Sequence, residues 1–237
     1  MSFDKSFYEE GWGKWEDMKK FGPMSRHIRR LIKEALSDIS FDSILDIGCG
    51  EGSLLKDIAS HQMNVAVGGA DISETALAIA RGRIKEGKFY LLDIQKEALD
   101  ERFDLVVCSE ALEHLEDDAQ ALSNLLKMTE KYLLITTIQG RMRESEKEVG
   151  HLRNYTRDGL LKKLNEAGFE EIKVKEWGFP FYSPLYRSFL DHFPSKATSG
   201  KFGLLRKAVS LFLYHLFLLS SGKKGDVLVV LATPGRR

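Results

Sequence analysis

The chain has 237 residues, of which 43% are hydrophobic, 10% are aromatic and 30% are charged. This composition can fill a packed core, which excludes an intrinsically disordered, collagenous or coiled-coil protein. The net charge is zero, with 35 basic and 35 acidic residues, which disfavours a surface built throughout to bind nucleic acid.

The neutral total is the sum of two regions of opposite charge. Residues 1–180 contain 26 basic and 33 acidic residues, a net charge of −7, while residues 181–237 contain nine basic and two acidic residues, a net charge of +7. We therefore expect any anionic partner to contact the last quarter of the chain.

Two cysteines, Cys49 and Cys108, are too few for a disulfide framework, and the first residues resemble no secretory leader. We therefore expect a cytoplasmic protein. The longest nearly apolar run, 208–219, is shorter than the ~20 residues that cross a bilayer as a helix.

Between residues 43 and 137, short runs rich in branched apolar residues alternate with helical patterns, which is typical of βαβ units and a parallel sheet. The predicted strands are 43–47, 65–71, 88–93, 104–109 and 132–137. The predicted helices are 53–60, 74–83 with Ser73 as N-cap, and 118–127.

Beyond a polar loop at 139–153, Thr156 is expected to cap a helix that ends before Gly168. A strand near 171–177 and a last strand at 226–232 complete the predicted sheet. Residues 181–225 form a basic, apolar, helical insertion between those strands, and residues 1–40 form an N-terminal helical cap. We interpret 1–237 as one domain with an α/β, doubly wound, Rossmann-like fold.

The first predicted strand runs into Asp46, Gly48, Gly50 and Gly52 before a helix begins. Glycines at this spacing let a ligand approach backbone N–H groups at a helix N-terminus, although a tight turn alone is also compatible. The second strand ends at Asp71, where a carboxylate can accept the two hydroxyls of a ribose. A nucleoside ligand is the favoured interpretation.

The spacing of the glycines indicates whether this nucleoside ligand is NAD. The dinucleotide fingerprint is G-x-G-x-x-G, whereas here the third glycine comes one residue early and Asp46 lies two residues before the first glycine. Both features disfavour NAD. Asp93, at the end of the third predicted strand, is placed to accept from an adenine amino group.

Several segments together resemble the class I S-adenosylmethionine-dependent methyltransferases, and within them the type 11 group that includes ubiquinone-pathway O-methyltransferases. The resemblance covers roughly residues 40–180 and rests on these segments: ILDIGCGEG (44–52), GGADIS (68–73), LLDI (91–94), FDLVVCSEALEHL (103–115), YLLITT (132–137) and GHLRNYTRDGLLKKLNEAGF (150–169).

The resemblance implies a mostly parallel seven-stranded sheet of order 3-2-1-4-5-7-6, with the last strand antiparallel. It also implies that S-adenosylmethionine is the cofactor. The cofactor-binding residues it implies are Asp46, Gly48, Gly50, Gly52, Asp71, Ile72, Asp93, Ile94 and Ser109.

The fourth strand is followed by Glu110, Glu113 and His114, and His151 lies in the loop after the fifth strand. On a helix the first three occupy positions i, i+3 and i+4, so we predict that they project from one face and act in catalysis. Together with His151 they offer a divalent metal site for Mg²⁺ or Mn²⁺. The pattern also resembles the metal site of small-RNA 2'-O-methyltransferases.

Three interpretations of this cluster remain open: a metal site, a metal-free base at His114 or His151, and glutamates that only complement a helix dipole. In the N-terminal segment, Trp12 or Trp15 either contacts the sulfonium of the cofactor or packs with the leading helix.

The leading functional hypothesis is a methyltransferase that acts on a small or lipid-linked acceptor, with oxygen as the acceptor atom. A metal-dependent RNA ribose 2'-O-methyltransferase and a non-catalytic cofactor-fold binding protein are the alternatives, although nucleic acid is the disfavoured partner. The apolar helix at 204–219 is interpreted as a lid, a dimer contact or a peripheral contact with the inner membrane surface. The sequence leaves the oligomeric state open.

Overall fold

The computed structural model describes residues 16–60, 64–192 and 200–235. Its seven strands are β1 (Ser43–Ile47), β2 (Ala66–Asp71), β3 (Lys88–Leu91), β4 (Phe103–Ser109), β5 (Thr129–Ile138), β6 (Phe169–Trp177) and β7 (Val227–Pro234). The helices with defined bounds are α1 (Pro23–Leu36), α2 (Ser53–Ala59), α3 (Glu74–Arg83), α4 (Asp118–Met128), α5 (Glu144–Glu148), α6 (Arg157–Ala167), α7 (Arg187–Leu190) and α8 (Leu204–Phe217).

The strands form one sheet of order β3-β2-β1-β4-β5-β7-β6, which confirms the predicted topology. Strands β1 to β5 pair in parallel, and β7 runs antiparallel to both β5 and β6. The strand order reverses at β1, which lies between β2 and β4. The carboxyl ends of those strands therefore flank the crevice where open α/β sheets bind ligands.

Helices cover both faces of the sheet, and the central strands are therefore buried on both sides. On one face, Leu31 of α1, Leu55 of α2 and Phe217 of α8 belong to one buried cluster. On the other face, Leu122 of α4 and Leu160 of α6 belong to a second cluster. The doubly wound architecture expected from the sequence is confirmed.

Local capping signals define several helix ends as predicted. The Ser73 hydroxyl accepts from the Ala76 N–H at the start of α3, and the Thr156 hydroxyl accepts from the Gly159 N–H at the start of α6. Gly168 ends α6 with a φ of 100°, a conformation that favours glycine. Strand β3 ends two residues before the predicted Asp93, and β5 begins three residues before the predicted Tyr132.

The prediction that Glu110, Glu113 and His114 lie on one face of a helix is wrong. Only Leu112–His114 is helical, as a single 3₁₀ turn, and Glu110 precedes it with a φ of 53°. Because Glu110 adopts the left-handed conformation, its side chain leaves the backbone in a different direction from those of Glu113 and His114.

The N-terminal segment and the insertion are both helical where the structure describes them. Residues 16–21 are helical and lead into α1, while the insertion contains an irregular helical turn (Phe181–Tyr186), α7 and α8. Trp12 and Trp15 lie outside the described residues, so their contact with the cofactor stays a prediction. Among the helices described, none has the length and apolar character needed to cross a bilayer.

Candidate active site

The loop between β1 and α2 has the open backbone that its glycines predict. Gly48, Gly50 and Gly52 have φ values of 71°, 54° and 77°, which residues other than glycine rarely adopt. At Gly48 a Cβ atom would lie only 2.9 Å from the Cβ of Ala111. The loop therefore needs glycine both for its backbone angles and for close approach to the segment after β4.

Asp71, at the end of β2, holds this loop in place. One carboxylate oxygen accepts from the Gly50 N–H at 2.8 Å, and the other accepts from the Ser73 N–H at 2.9 Å. Burial raises the pKa of Asp71, although these backbone hydrogen bonds oppose the rise. The Ile72 N–H is a third backbone donor to this carboxylate. A carboxylate has about four lone-pair sites, so Asp71 can still accept from a ribose hydroxyl.

A cavity of about 140 Å³ opens between the glycine loop, α1 and the end of β4. Of the predicted cofactor residues, Asp46, Gly48 and Ser109 line it, together with Glu110. Its full lining is Lys19, Met24, Ser25, Ile28, Arg29, Asp46, Gly48, Cys49, Ser53, Leu54, Ser109 and Glu110.

Opposite charges meet in this cavity at Asp46 and Lys19. Burial raises the pKa of Asp46 to about 7, with the Asp71 charge adding to the rise and Lys19 opposing it. Burial also lowers the pKa of Lys19 to about 8, against the attraction of Asp71 and Asp46. Both groups therefore gain from a zwitterionic ligand, whose ammonium can approach Asp46 and whose carboxylate can approach Lys19.

Arg29 of α1 adds a second cation to the cavity wall. Its guanidinium donates to the Ser53 hydroxyl at 2.8 Å and lies 3.2 Å from the Asp57 carboxylate. Sequence reasoning missed both Lys19 and Arg29, because they belong to the N-terminal helices and no motif marks them. Only the packing of these helices over the glycine loop brings them to the cavity.

The residues predicted to contact adenine lie beyond the lining of this cavity. Asp93 follows β3 and forms an ion pair with Lys96 at 2.9 Å, and its carboxylate also accepts from the Gln95 N–H at 3.1 Å. Partial burial works to raise the pKa of Asp93, but these contacts outweigh it and lower the pKa. Ile94 is buried, and Ile72 is half-buried beside Asp71.

Glu110 brings a carboxylate to the same cavity from the end of β4. The Thr136 hydroxyl lies 2.7 Å from the Ser109 hydroxyl and 3.4 Å from the Glu110 carboxylate. Burial raises the pKa of Glu110 to about 7, with Glu146 adding to the rise and with Thr136 and Arg187 opposing it. A carboxylate with that pKa can exchange a proton near neutral pH.

The structure brings Glu113, His114 and His151 together, and Glu110 is not part of that cluster. Ligand atoms of the three residues all lie within 4.8 Å of one another, and the two imidazole rings pack edge to face with centroids 4.7 Å apart. The Thr137 hydroxyl donates to one Glu113 oxygen at 3.0 Å, while the other oxygen is buried with no hydrogen-bond partner.

Burial sets the protonation of this cluster. It raises the pKa of Glu113, lowers that of His114 to about 3 and lowers that of His151. Neutral imidazoles can bind a divalent cation directly, and the Glu113 carboxyl can bind one once its proton is released, so this set fits a metal. Two imidazoles and one carboxylate favour Mn²⁺ over Mg²⁺, which prefers oxygen ligands.

A buried polar network connects this cluster to the insertion. The His151 ring lies 3.5 Å from the Asn154 amide oxygen, and the Asn154 amide donates to Glu146 at 2.8 Å. Arg187, which is 2% exposed, donates to Glu146 at 3.0 Å and also forms an ion pair with Asp226. Sequence reasoning missed Asn154, Glu146 and Arg187, because they come from separate segments that look like a polar loop and a surface helix.

Cys49, Cys108 and His27 have ordinary packing environments. Cys49 and Cys108 are buried free thiols, and burial raises the pKa of each, which makes both poor nucleophiles. His27 is buried against α8, where its ring lies 3.0 Å from the Tyr214 carbonyl oxygen.

Residues 45–131 match the family model described as "Methyltransferase domain". A relative named ubiquinone biosynthesis O-methyltransferase, from Rickettsia bellii, is 31% identical over 122 residues, which cover 48% of this chain and 51% of the relative. A malonyl-[acyl-carrier protein] O-methyltransferase from Bacillus cereus is 26% identical over 106 residues, or 44% of this chain and 39% of that protein. The chain thus spans about half the length, or less, of these relatives.

Solved structures support the same fold over nearly the whole chain. The N-methyltransferase NodS from Bradyrhizobium japonicum, in complex with S-adenosyl-L-homocysteine, superposes with a TM-score of 0.60 at 18% identity, covering 92% of this chain and 91% of NodS. At this identity the likeness concerns the fold alone.

Proposed function

We propose that this chain is a class I S-adenosylmethionine-dependent methyltransferase and that it transfers a methyl group to an oxygen atom of a small or lipid-linked acceptor. One observation supports this most directly. Ser109 and Glu110 line the same cavity as Asp46 and Gly48, so a carboxylate that can accept a proton lies beside the expected cofactor site.

The cofactor residues present fit the methionine end of S-adenosylmethionine. Asp46 offers a buried carboxylate to the ammonium group, and Lys19 and Arg29 offer cations to the carboxylate. Gly48 leaves the space in which the ligand approaches the backbone, and Asp71 accepts from the ribose. S-adenosylmethionine supplies an activated methyl group on a sulfonium, which leaves by in-line displacement.

Besides cofactor binding, transfer to a hydroxyl requires removal of the hydroxyl proton. Glu110 removes this proton. Its pKa near 7 suits a general base at neutral pH, and Thr136 orients the carboxylate. Arg187 stabilises the charged form of Glu110 and is itself fixed by Glu146 and Asp226. Since both similar relatives described above are named as O-methyltransferases, their names support oxygen as the acceptor atom.

Glu113, His114 and His151 would hold a divalent cation, with Mn²⁺ favoured over Mg²⁺. When bound, the cation would act as a Lewis acid on an acceptor oxygen. Calorimetric titration with Mn²⁺ tests the site without turnover. We expect a single site that is lost in His151→Ala and retained in His215→Ala, which changes an exposed histidine elsewhere. Equal Mn²⁺ binding by the wild type and His151→Ala would reject the site.

The proposed function is tested by incubating the protein with methyl-labelled cofactor and with separated small-molecule, lipid and RNA fractions. We expect label in the small-molecule or lipid fraction. The labelled product should be a base-stable methyl ether, because the acceptor is a hydroxyl. The Glu110→Gln variant should give no labelled product. Label in RNA would favour the ribose 2'-O-methyltransferase alternative. Absence of calorimetric binding to S-adenosylhomocysteine would leave the non-catalytic binding protein as the better description.

A further inference from the structure

Helix α8 in the insertion has two faces that differ in their surroundings. One face packs against the protein: the Ser210 hydroxyl donates to the Phe21 carbonyl, Tyr214 stacks on His27, and Phe217 is fully buried. With Leu213 these residues follow the spacing i, i+3, i+4, i+7 of a single helical stripe. The inward face of the helix therefore accounts for its docking on α1.

The opposite face is apolar and exposed. Large side chains on it have exposed fractions between 48% and 89%, although leucine and phenylalanine normally pack inside. They are Leu204, Leu205, Leu211 and Phe212 of α8 and Leu218 and Leu219 of the turn that directly follows it. Ala208 and the exposed His215 complete this stripe, so one helix side presents an almost continuous apolar surface. We name these eight residues the outer face of α8.

Such a surface is larger than the scattered apolar residues of an ordinary monomer surface, and it requires a partner that removes it from water. The preceding segment of the insertion adds to it. Leu185 and Phe189 are 58% and 56% exposed, and the intervening Tyr186 packs on Phe217 with ring centroids 5.1 Å apart. The segment that packs against α8 thus carries two more exposed apolar side chains.

The charges around the outer face identify the partner. Residues 181–225 contain seven basic residues and one acidic residue, Asp191, whose carboxylate already pairs with Arg143 at 2.7 Å. Arg206 and Lys207 lie at the first turn of α8, and the exposed Lys223 and Lys224 follow its last turn. An apolar helix face with basic residues at both ends matches a membrane interface that carries anionic headgroups.

The same charges disfavour a second copy of this chain as the partner. In a two-fold symmetric pair through the outer face, antiparallel helices would place Arg206 and Lys207 near the partner's Lys223 and Lys224. Parallel helices would bring each basic cluster against its own copy. Either arrangement brings like charges together, and this repulsion destabilises the pair.

We propose that the outer face of α8 docks onto an anionic lipid surface, with the helix lying in the plane of the interface. The face is connected to the candidate active site, because α8 packs on α1 and α1 contributes Met24, Ile28 and Arg29 to the cavity. The insertion also supplies Arg187 to the Glu146 network. Docking therefore brings the cavity close to acceptors held in the membrane, but it does not depend on methyl transfer.

The proposal is tested by co-sedimentation of the full chain with vesicles of phosphatidylglycerol and phosphatidylcholine, and with vesicles of phosphatidylcholine alone. We expect binding to the anionic vesicles that weakens at high salt. Leu211→Ser/Phe212→Ser should abolish that binding. Ile79→Ser/Leu91→Ser, which changes exposed apolar residues on α3 and β3, is the matched control and should bind as the wild type does.

A second pair of variants tests the charges. Lys223→Gln/Lys224→Gln should reduce partitioning by about 25-fold, because each basic residue near an anionic surface contributes about fivefold. Lys56→Gln/Lys85→Gln, which changes two exposed lysines of the cofactor region, should have no effect. Circular dichroism and S-adenosylhomocysteine binding verify that every variant is folded.

Three results would overturn the proposal: no binding of the wild type to anionic vesicles, equal binding by Leu211→Ser/Phe212→Ser, or equal binding to both vesicle types. Sedimentation velocity supplies a further decisive outcome. If the wild type is a dimer that Leu211→Ser/Phe212→Ser converts to a monomer, the outer face is an interface between two copies. Methyl transfer is measured separately, so its failure is distinguishable from failure to dock.

Discussion

Asp46 and the loop glycines Gly48 and Gly50 lie within five consecutive residues, and Asp71 follows at the end of the next strand. We call this region the cofactor end. In a second region, which we call the acceptor end after the role proposed for it, Glu110, Glu146 and Arg187 come from three segments separated by tens of residues. The cofactor end is a local structure that a short motif encodes, whereas the acceptor end exists only after the insertion folds onto the sheet.

The two ends also differ in how their charges are balanced. At the cofactor end, the raised pKa of Asp46 and the lowered pKa of Lys19 leave charged groups that a ligand can satisfy. At the acceptor end, Arg187 is already paired with Glu146 and Asp226. A substitution at the cofactor end should therefore change ligand affinity, while one at the acceptor end should change catalysis or stability.

The largest effect is expected for Glu110→Gln. Removal of a general base should lower kcat by about 10²–10⁴-fold, or roughly 3–5 kcal/mol, while S-adenosylhomocysteine affinity stays within about twofold. Steady-state kinetics and calorimetry measure the two quantities. Glu144→Gln, at an exposed position on α5, is the control. Equal losses of affinity and kcat would place Glu110 at the cofactor end instead.

Arg187→Met should lower the free energy of unfolding by about 3–5 kcal/mol, because it leaves the buried Glu146 carboxylate and the half-buried Asp226 carboxylate without their cation. Denaturant titration measures this loss. Arg157→Met, which breaks an exposed pair with Asp158, should change stability by less than about 1 kcal/mol. A loss as small as that of the control would mean that the network is not a structural unit.

Asp46→Asn should weaken S-adenosylhomocysteine binding by roughly 100-fold, or about 3 kcal/mol, because the ligand ammonium loses its carboxylate. The free energy of unfolding should not fall at mildly alkaline pH, since burial disfavours the charged carboxylate that the substitution removes. Asp158→Asn, at an exposed position, is the control for both measurements. Unchanged affinity would remove Asp46 from the cofactor site.

A smaller effect is expected from pH. Because the pKa of Asp46 is raised to about 7, its stabilisation of the ligand-free fold is present below its unfolded pKa and is lost as the pH rises through 7. Affinity changes in the opposite direction: a cationic group binds better to the ionised carboxylate. As the pH is increased toward 7, S-adenosylhomocysteine affinity should therefore increase by up to about tenfold per pH unit. This increase should be absent in Asp46→Asn.

Ser73→Ala should have the smallest effect, a loss of about 1 kcal/mol in the free energy of unfolding, because α3 loses its N-cap. Ligand affinity should not change, since the contact of Ser73 with Asp71 uses the backbone N–H. Thr156→Ala removes the equivalent cap from α6 and serves for comparison. A large loss of affinity in Ser73→Ala alone would mean that the side chain itself positions Asp71.

Much of the fold could be predicted from the sequence because its signals are local. Alternation of branched apolar runs with helical patterns predicted a parallel sheet, and the family resemblance implied its strand order, which the structure has. Ser73, Thr156 and Gly168 predicted helix ends that the structure also has. The main error concerns Glu110, where helical spacing was applied to a segment that forms only a 3₁₀ turn. Periodicity over five residues does not distinguish a helix from a turn.

The sequence by itself determined most individual strands, the glycine loop and the expected cofactor end, because contiguous or nearly contiguous residues encode each of them. Only the tertiary structure decided that Lys19 and Arg29 reach the cavity, that Glu110 lies outside the cluster of potential metal ligands, and that Arg187 enters the Glu146 network. It also divided α8 into a packed face and an exposed apolar face with basic residues at both ends. These features depend on which surfaces meet when distant segments pack, and no short stretch of sequence contains that information.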